Sequence, residues 1–184
     1  SWAGFKVKGF VELDAGLRKI YQSNFPKAYE CGSDITKISC EHLDSIADKV
    51  GVIDVIIGGP PCQGFSLSGK RDVSDPRNTL FKHYLRFVDK FRPKIAILEN
   101  VRVLTSMKNK NGGFVRNDIL EEFRAHGYSV EFFVVNAKEY GVPQHRERVI
   151  FVATSNEYEL QPTLPDAPFG ESSDLLGSIS KFRT

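Results

Sequence analysis

Apolar positions along the 184-residue chain fall into two alternating patterns: short continuous runs, and longer stretches spaced by three and four residues. Val7 to Leu13 reads as a strand, after which Leu13, Leu17, Ile20, Tyr21 and Phe25 mark one face of a helix that Pro26 stops. The run Val52-Ile53-Asp54-Val55-Ile56-Ile57 is β-branched and almost wholly apolar, as a buried parallel strand requires, and it ends abruptly at Gly58-Gly59-Pro60-Pro61. Leu80, Phe81, Tyr84, Leu85, Val88 and Phe91 predict a helix closed by Pro93, and Ile95 to Leu98 the next buried strand. A further helix around Ile119, Leu120 and Phe123 ends at Gly127, followed by strands over Tyr128 to Val135 and Val149 to Ala153.

Strands alternating with helices of this length predict an α/β fold, a mostly parallel sheet with helices on both faces. Ligands of such sheets collect outside the carboxyl ends of the strands, so the informative residues are expected just after strands. Three groups meet that condition: Glu12 with Asp14, the loop 58–66, and Glu99-Asn100-Val101. Residues 1–160 are expected to form one domain. The stretch 161–184, with Pro162, Pro165, Pro168 and Gly170, reads as a linker leading elsewhere.

Composition narrows the function classes. Hydrophobic residues at 41% and charged residues at 26% describe an ordinary globular chain. A net charge of +2 permits a nucleic-acid partner without establishing one, because such binding depends on a local basic face. No apolar run approaches the roughly 20 residues that span a bilayer, and the start lacks a signal-peptide pattern, so a cytoplasmic protein without a membrane partner is expected. Cys31, Cys40 and Cys62 show neither CxxC pairing nor Cys/His metal spacing, so no disulfide framework and no metal site are expected.

The loop Gly58-Gly59-Pro60-Pro61-Cys62-Gln63-Gly64-Phe65-Ser66 carries the most specific chemistry. Glycines let the backbone bend closely, and paired prolines stiffen the approach to the thiol. Cys62 is then either an activated nucleophile or a small buried hydrophobe. Glu99 reads either as an acid whose proton is held by desolvation at the end of a buried strand or as a solvated cap. Arg146 and Arg148 alternate along a short extended segment, so both can point to one side, and on their own they read as a solvated basic edge strand. The polar stretch Leu67 to Arg77 reads either as a loop that closes over a substrate or as plain surface.

The nine-residue loop resembles the Pro-Cys motif of the DNA cytosine-5 methyltransferases, and two further family blocks follow in order, Glu99-Asn100-Val101 and Gln144-His145-Arg146-Glu147-Arg148. Asp75-Pro76-Arg77-Asn78-Thr79-Leu80-Phe81 is also similar, and the resemblance covers roughly Gly4 to Thr154. It implies a Rossmann-like fold using S-adenosylmethionine to methylate carbon 5 of cytosine in double-stranded DNA, with no metal, in a prokaryotic cell whose nucleoid is the place of action. The catalytic set implied is Cys62, Glu99, Arg146 and Arg148. Glu12, Leu13, Asp34, Ile35 and Pro60 are implied for the cofactor, and Gln63, Ser66, Arg77 and Asn100 for the DNA. The target base, inaccessible inside a duplex, has to be flipped out.

Two features depart from the family pattern. The glycine-rich loop and strand that normally open the fold do not appear before Gly4, and neither the target-recognition region nor the closing motif is present. A fragment is expected, with a split enzyme completed by another chain or a degenerate relative as the alternatives. A tRNA cytosine-5 methyltransferase of the DNA-like type and a non-catalytic DNA-binding or regulatory relative remain as rival functions.

Overall fold

The computed structural model describes residues 4–61, 80–109 and 112–169. Strand β1 (Gly9–Val11) leads into helix α1 (Ala15–Asn24), where Asp14 caps the first turn by accepting from the Leu17 amide at 2.8 Å. The chain returns through β2 (Tyr29–Gly32) and helix α2 (Cys40–Val50), capped by Ser39 and ended by Gly51 at φ 68°, a backbone state that a β-carbon would strain. Then come β3 (Val55–Gly58), α3 (Leu80–Phe91), β4 (Ile95–Val101), α4 (Val115–Ala125), β5 (Tyr128–Asn136) and β6 (Glu147–Ser155).

β2 and α2 were not legible in the hydrophobic pattern. β2 buries only Cys31, and α2 only Leu43, Ile46 and Val50, too few apolar positions to stand out from the polar residues between them. Their burial is nonetheless substantial. Ile46 is fully enclosed with Cys31, Ile38 and Leu43, a contribution of about 2 kcal/mol for that side chain alone.

β1 and β2 pair in parallel, and a separate four-stranded sheet has the order β3-β4-β6-β5. β3 runs parallel to β4, while β6 is antiparallel to both of its neighbours, so β6 alone reverses the direction shared by β3, β4 and β5. One face of this sheet, with Ala96, Leu98, Val149, Phe151, Ala153 and Val130, packs on Tyr84, Leu85 and Val88 of α3 and on Val115, Ile119 and Phe123 of α4. Helices flank both faces of the smaller sheet. Val11 joins the cluster beneath α2, while Phe10, on the opposite side of the pleat, packs at 4.5 Å between centroids on Tyr21 of α1.

Two expected boundaries move. Glu99-Asn100-Val101 was expected just beyond a strand ending at Leu98, yet these are the last three residues of β4, held there by pairing with Ile150, Val149 and Arg148. Residues 161–169, read as the start of a linker, are fastened to the body: the Phe169 amide donates to the Glu139 carbonyl at 3.0 Å and the Tyr140 hydroxyl to the Pro165 carbonyl at 3.3 Å.

Candidate functional site

The site forms where the carboxyl end of β4 meets the start of the reversed strand β6. Register dictates the meeting. Glu99 lies opposite Ile150 and Arg148 opposite Val101, so both side chains rise from one face as diagonal neighbours. The Arg148 Nε donates to Glu99 Oε1 at 2.8 Å, and its Nη1 to the Glu147 carbonyl at 2.7 Å. Arg148 Nη2 makes no hydrogen bond among the described residues. Charged hydrogen bonds of this kind fix both groups in plane.

The carboxyl group of Glu99 sits against the turn that follows β3. A β-carbon on Gly59 would come within 3.3 Å of Glu99 Oε2, so glycine is what lets the turn pass this close. The side chain of Glu99 is 40% exposed and paired with a guanidinium.

Successive residues on a strand point to opposite faces, and this separates Asn100 from Glu99. Asn100 is buried with the core, its Nδ2 donating to the Pro60 carbonyl at 2.9 Å and its Oδ1 accepting from the Val101 amide at 2.9 Å. The resemblance implied a DNA contact for this residue. The structure gives it the geometry of a brace that ties Pro60 to the strand carrying Glu99. Tyr84 supports the same turn from below. Its hydroxyl donates to the Ile97 carbonyl at 3.0 Å, and a β-carbon on Gly58 would fall 2.5 Å from its ring, so residue 58 has no room for a side chain.

Cys62, Gln63, Ser66 and Arg77 lie outside the described residues. The other two cysteines do not compete for the nucleophile's role on the ground of setting. Burial pushes the Cys31 thiol up to about 11, leaving it a packing group, and Cys40 is the exposed first residue of helix α2.

Arg146 precedes β6 with its side chain exposed, and its backbone is pinned by a residue that the sequence pattern did not single out. Asn136, 6% exposed at the end of β5, accepts from the Lys138 amide at 3.3 Å and from the Arg146 amide at 3.2 Å, while the Arg146 carbonyl accepts from the Ala137 amide. A polar residue closing an apolar run is the only signal that sequence offers, and it is an ambiguous one. Because both bonds use Asn136 as acceptor, Asn136→Ala is expected to lose about 1 to 3 kcal/mol of stability and Asn136→Asp to recover most of that. The alanine variant should also lose about tenfold in kcat/KM through misplacement of the arginines. Thermal unfolding together with steady-state kinetics checks this. An aspartate variant as impaired as the alanine one would show that acceptance is not the function of residue 136.

Of the residues implied for a cofactor, Glu12, Leu13, Asp34 and Ile35 lie at the carboxyl ends of the smaller sheet, and Pro60 follows β3 of the larger one. Glu12 follows β1, with Oε1 accepting from the Asp14 amide at 2.9 Å, and Leu13 beside it is 72% exposed. Asp34 follows β2 and caps the 3-10 turn Ile35–Lys37. Its carboxyl accepts from the Thr36 hydroxyl and amide, bonds that hold it below the usual carboxylate range. Glu12 keeps a second carboxylate oxygen available for a hydroxyl pair, and Leu13 offers an open apolar surface, so this donor set fits a nucleoside.

The parallel pairing of β1 with β2 and of β3 with β4, the packed helices and the reversed β6 make this a Rossmann-like α/β fold. A prophage-encoded protein of E. coli, provisionally assigned as a DNA modification methyltransferase, superposes with a TM-score of 0.70 at 30% identity, covering 88% of this chain and 43% of that one. The S. pombe Dnmt2 methyltransferase shares the fold with a TM-score of 0.62 at 18% identity, over 84% of this chain and 43% of its own. The chain belongs to the C-5 cytosine-specific DNA methylase family, whose model matches residues 1–181. The type II methyltransferase M.DdeI of Desulfomicrobium norvegicum is 42% identical over 90% of this chain and 40% of its own length. M1.HphI of Haemophilus parahaemolyticus is 37% identical over 98% of this chain and 48% of its own. The chain thus spans less than half the length of these relatives.

Proposed function

We propose that the protein carrying this chain methylates carbon 5 of cytosine in double-stranded DNA, as the modification partner in a restriction-modification system. The observation that carries this reading is the ion pair of Glu99 and Arg148, set at 2.8 Å beside the glycine-proline turn whose next residue is Cys62. Carbon 5 of cytosine is a poor nucleophile until a nucleophile adds to carbon 6. In this reading the Cys62 thiolate adds there, forming a covalent bond to a base flipped out of the duplex. Glu99 hydrogen-bonds N3 and passes it a proton as the ring gains electrons, and Arg148 Nη2 holds the base carbonyl. Arg146, Gln63, Ser66 and Arg77 contact the neighbouring nucleotide and backbone.

Glu12, Leu13, Asp34, Ile35 and Pro60 would hold S-adenosylmethionine, which supplies an electrophilic methyl group. Carbon 5 would take that methyl as the cofactor's sulfonium becomes a neutral thioether; loss of the carbon 5 proton to water, departure of the Cys62 thiolate from carbon 6 and return of the N3 proton to Glu99 would restore the ring. The first two sheets also suggest what completes the active unit. Among the described residues β1 pairs only with β2 and β3 only with β4, and Ile57 on β3 is 72% exposed. Another parallel strand between these two edges, from the same polypeptide or from a complementing chain, would join them into one sheet.

Transfer of labelled methyl groups distinguishes the substrates. The protein is expected to label cytosine in duplex DNA and to form a stable adduct with a duplex containing 5-fluorocytosine. Labelling confined to tRNA would move the assignment to the RNA-directed enzymes. Absence of both label and adduct, with the cofactor bound, would leave only a DNA-binding role.

A further inference from the structure

A cavity of about 400 Å³ opens at the amino ends of β1 and β2, the end of the sheet opposite Glu12 and Asp34. Its walls are Lys6, Lys8, Lys27, Ala28, Tyr29, Lys49 and Val50, with no carboxylate among them. Three chain segments converge there: the approach to β1, the approach to β2, and the last turn of α2. The Tyr29 amide bonded to the Lys8 carbonyl at 2.8 Å joins the first two.

Six described lysines lack a carboxylate or ring partner, and four of them meet at this cavity, the other two being Lys19 and Lys138. Among the described residues, Lys37, Lys82, Lys90 and Lys94 each sit beside a carboxylate, and Lys108 lies 3.4 Å over the Phe114 ring. Lys6, Lys8, Lys27 and Lys49 have no such partner among the described residues. Four uncompensated ammonium groups around one concavity raise the local potential well above what a net charge of +2 implies. Tyr29, 38% exposed, adds an aromatic face among them.

We infer that this lysine-lined cavity is a second DNA-binding surface, which takes the phosphodiester backbone of a stretch of DNA separate from the one that presents its base to Glu99 and Arg148. Lysine ammonium groups act on phosphates as point charges and lack the planar fork that reads bases, so the contact is independent of sequence. The inference rests on the DNA-directed reading above. It gives the protein a means of holding one segment while it works on another, and it predicts a dependence on DNA length that the active site alone would not produce.

Affinity measured across salt concentration, on a duplex just long enough to span the active site and on DNA several times longer, tests it. Each phosphate contact contributes about 0.9 to the slope of log affinity against log salt. The quadruple variant Lys6→Gln, Lys8→Gln, Lys27→Gln, Lys49→Gln is expected to lose about 3 to 4 from that slope on long DNA. It should keep the short-duplex affinity and the kcat on short duplex. A control variant carrying Lys19→Gln, Lys37→Gln, Lys82→Gln and Lys94→Gln removes the same charge elsewhere and should lose less than about 1. Equal losses in the two variants would overturn the inference. So would polyglutamate occupying the cavity while the slope on long DNA stays unchanged, which would assign the surface to an acidic protein partner. Failure of the unaltered protein to bind either DNA would instead remove the DNA-directed reading itself.

Discussion

Cys62→Ser is expected to abolish methyl transfer, with a loss of roughly a thousandfold or more in the single-turnover rate, about 4 kcal/mol or more in the barrier. The cost arises because a serine hydroxyl is ionised far less than a thiol near neutral pH and its oxygen is less polarisable, so addition to carbon 6 fails at the first step. DNA affinity should change little, since the substitution removes no charge. Rapid-quench transfer of labelled methyl, paired with a binding measurement on the same duplex, separates these two quantities. Turnover surviving within tenfold of the unaltered protein would show that another group attacks the base, and neither described cysteine is placed to be that group: Cys31 is packed in the core with its thiol pushed up to about 11.

The second large effect concerns the pair at the sheet edge. Glu99→Gln keeps shape and removes the acid, and is expected to lower kcat by about a hundredfold, or about 2.7 kcal/mol. Arg148→Ala should lose a comparable amount, because the guanidinium both orients the carboxyl group at 2.8 Å and is left with Nη2 to hold the base. The two residues act on one ring and on each other, so the double variant should fall well short of the product of the single losses. A coupling of at least about 1 kcal/mol is expected from a double-mutant cycle on kcat/KM. Independent, multiplying losses would mean that the ion pair is a structural contact and not part of the proton path. The pair also makes the effect specific to Glu99: the neighbouring Asn100 faces the core, and its loss should appear first in stability.

The local alphabet of the chain is written in its sequence. Helix α1 stops before Pro26 because proline has no amide to donate, and α4 ends before Gly127, whose φ of 84° favours a residue without a β-carbon. The chemistry of the Gly58 to Ser66 loop, the acid at Glu99 and the two arginines were likewise visible as residue types in order. Periodicity also placed α3 over Leu80–Phe91 with its buried positions at Tyr84, Leu85 and Val88, because an apolar stripe on a helix has one low-energy use.

What tertiary structure alone decided is direction and face. An apolar run such as Val149 to Ala153 reads the same whichever way it enters a sheet, and only long-range pairing made β6 antiparallel to β4. That reversal brings Arg148, which precedes most of its strand, to the carboxyl end of β4, where a rule that looks only after strands would not seek it. The same pairing extended β4 to Val101 and thereby sent Glu99 and Asn100 to opposite faces, one toward Arg148 and one toward the core. Asn136 and the four lysines of the far cavity were equally silent in sequence, since they come from segments far apart in the chain, and a one-dimensional pattern does not record which segments the fold sets side by side.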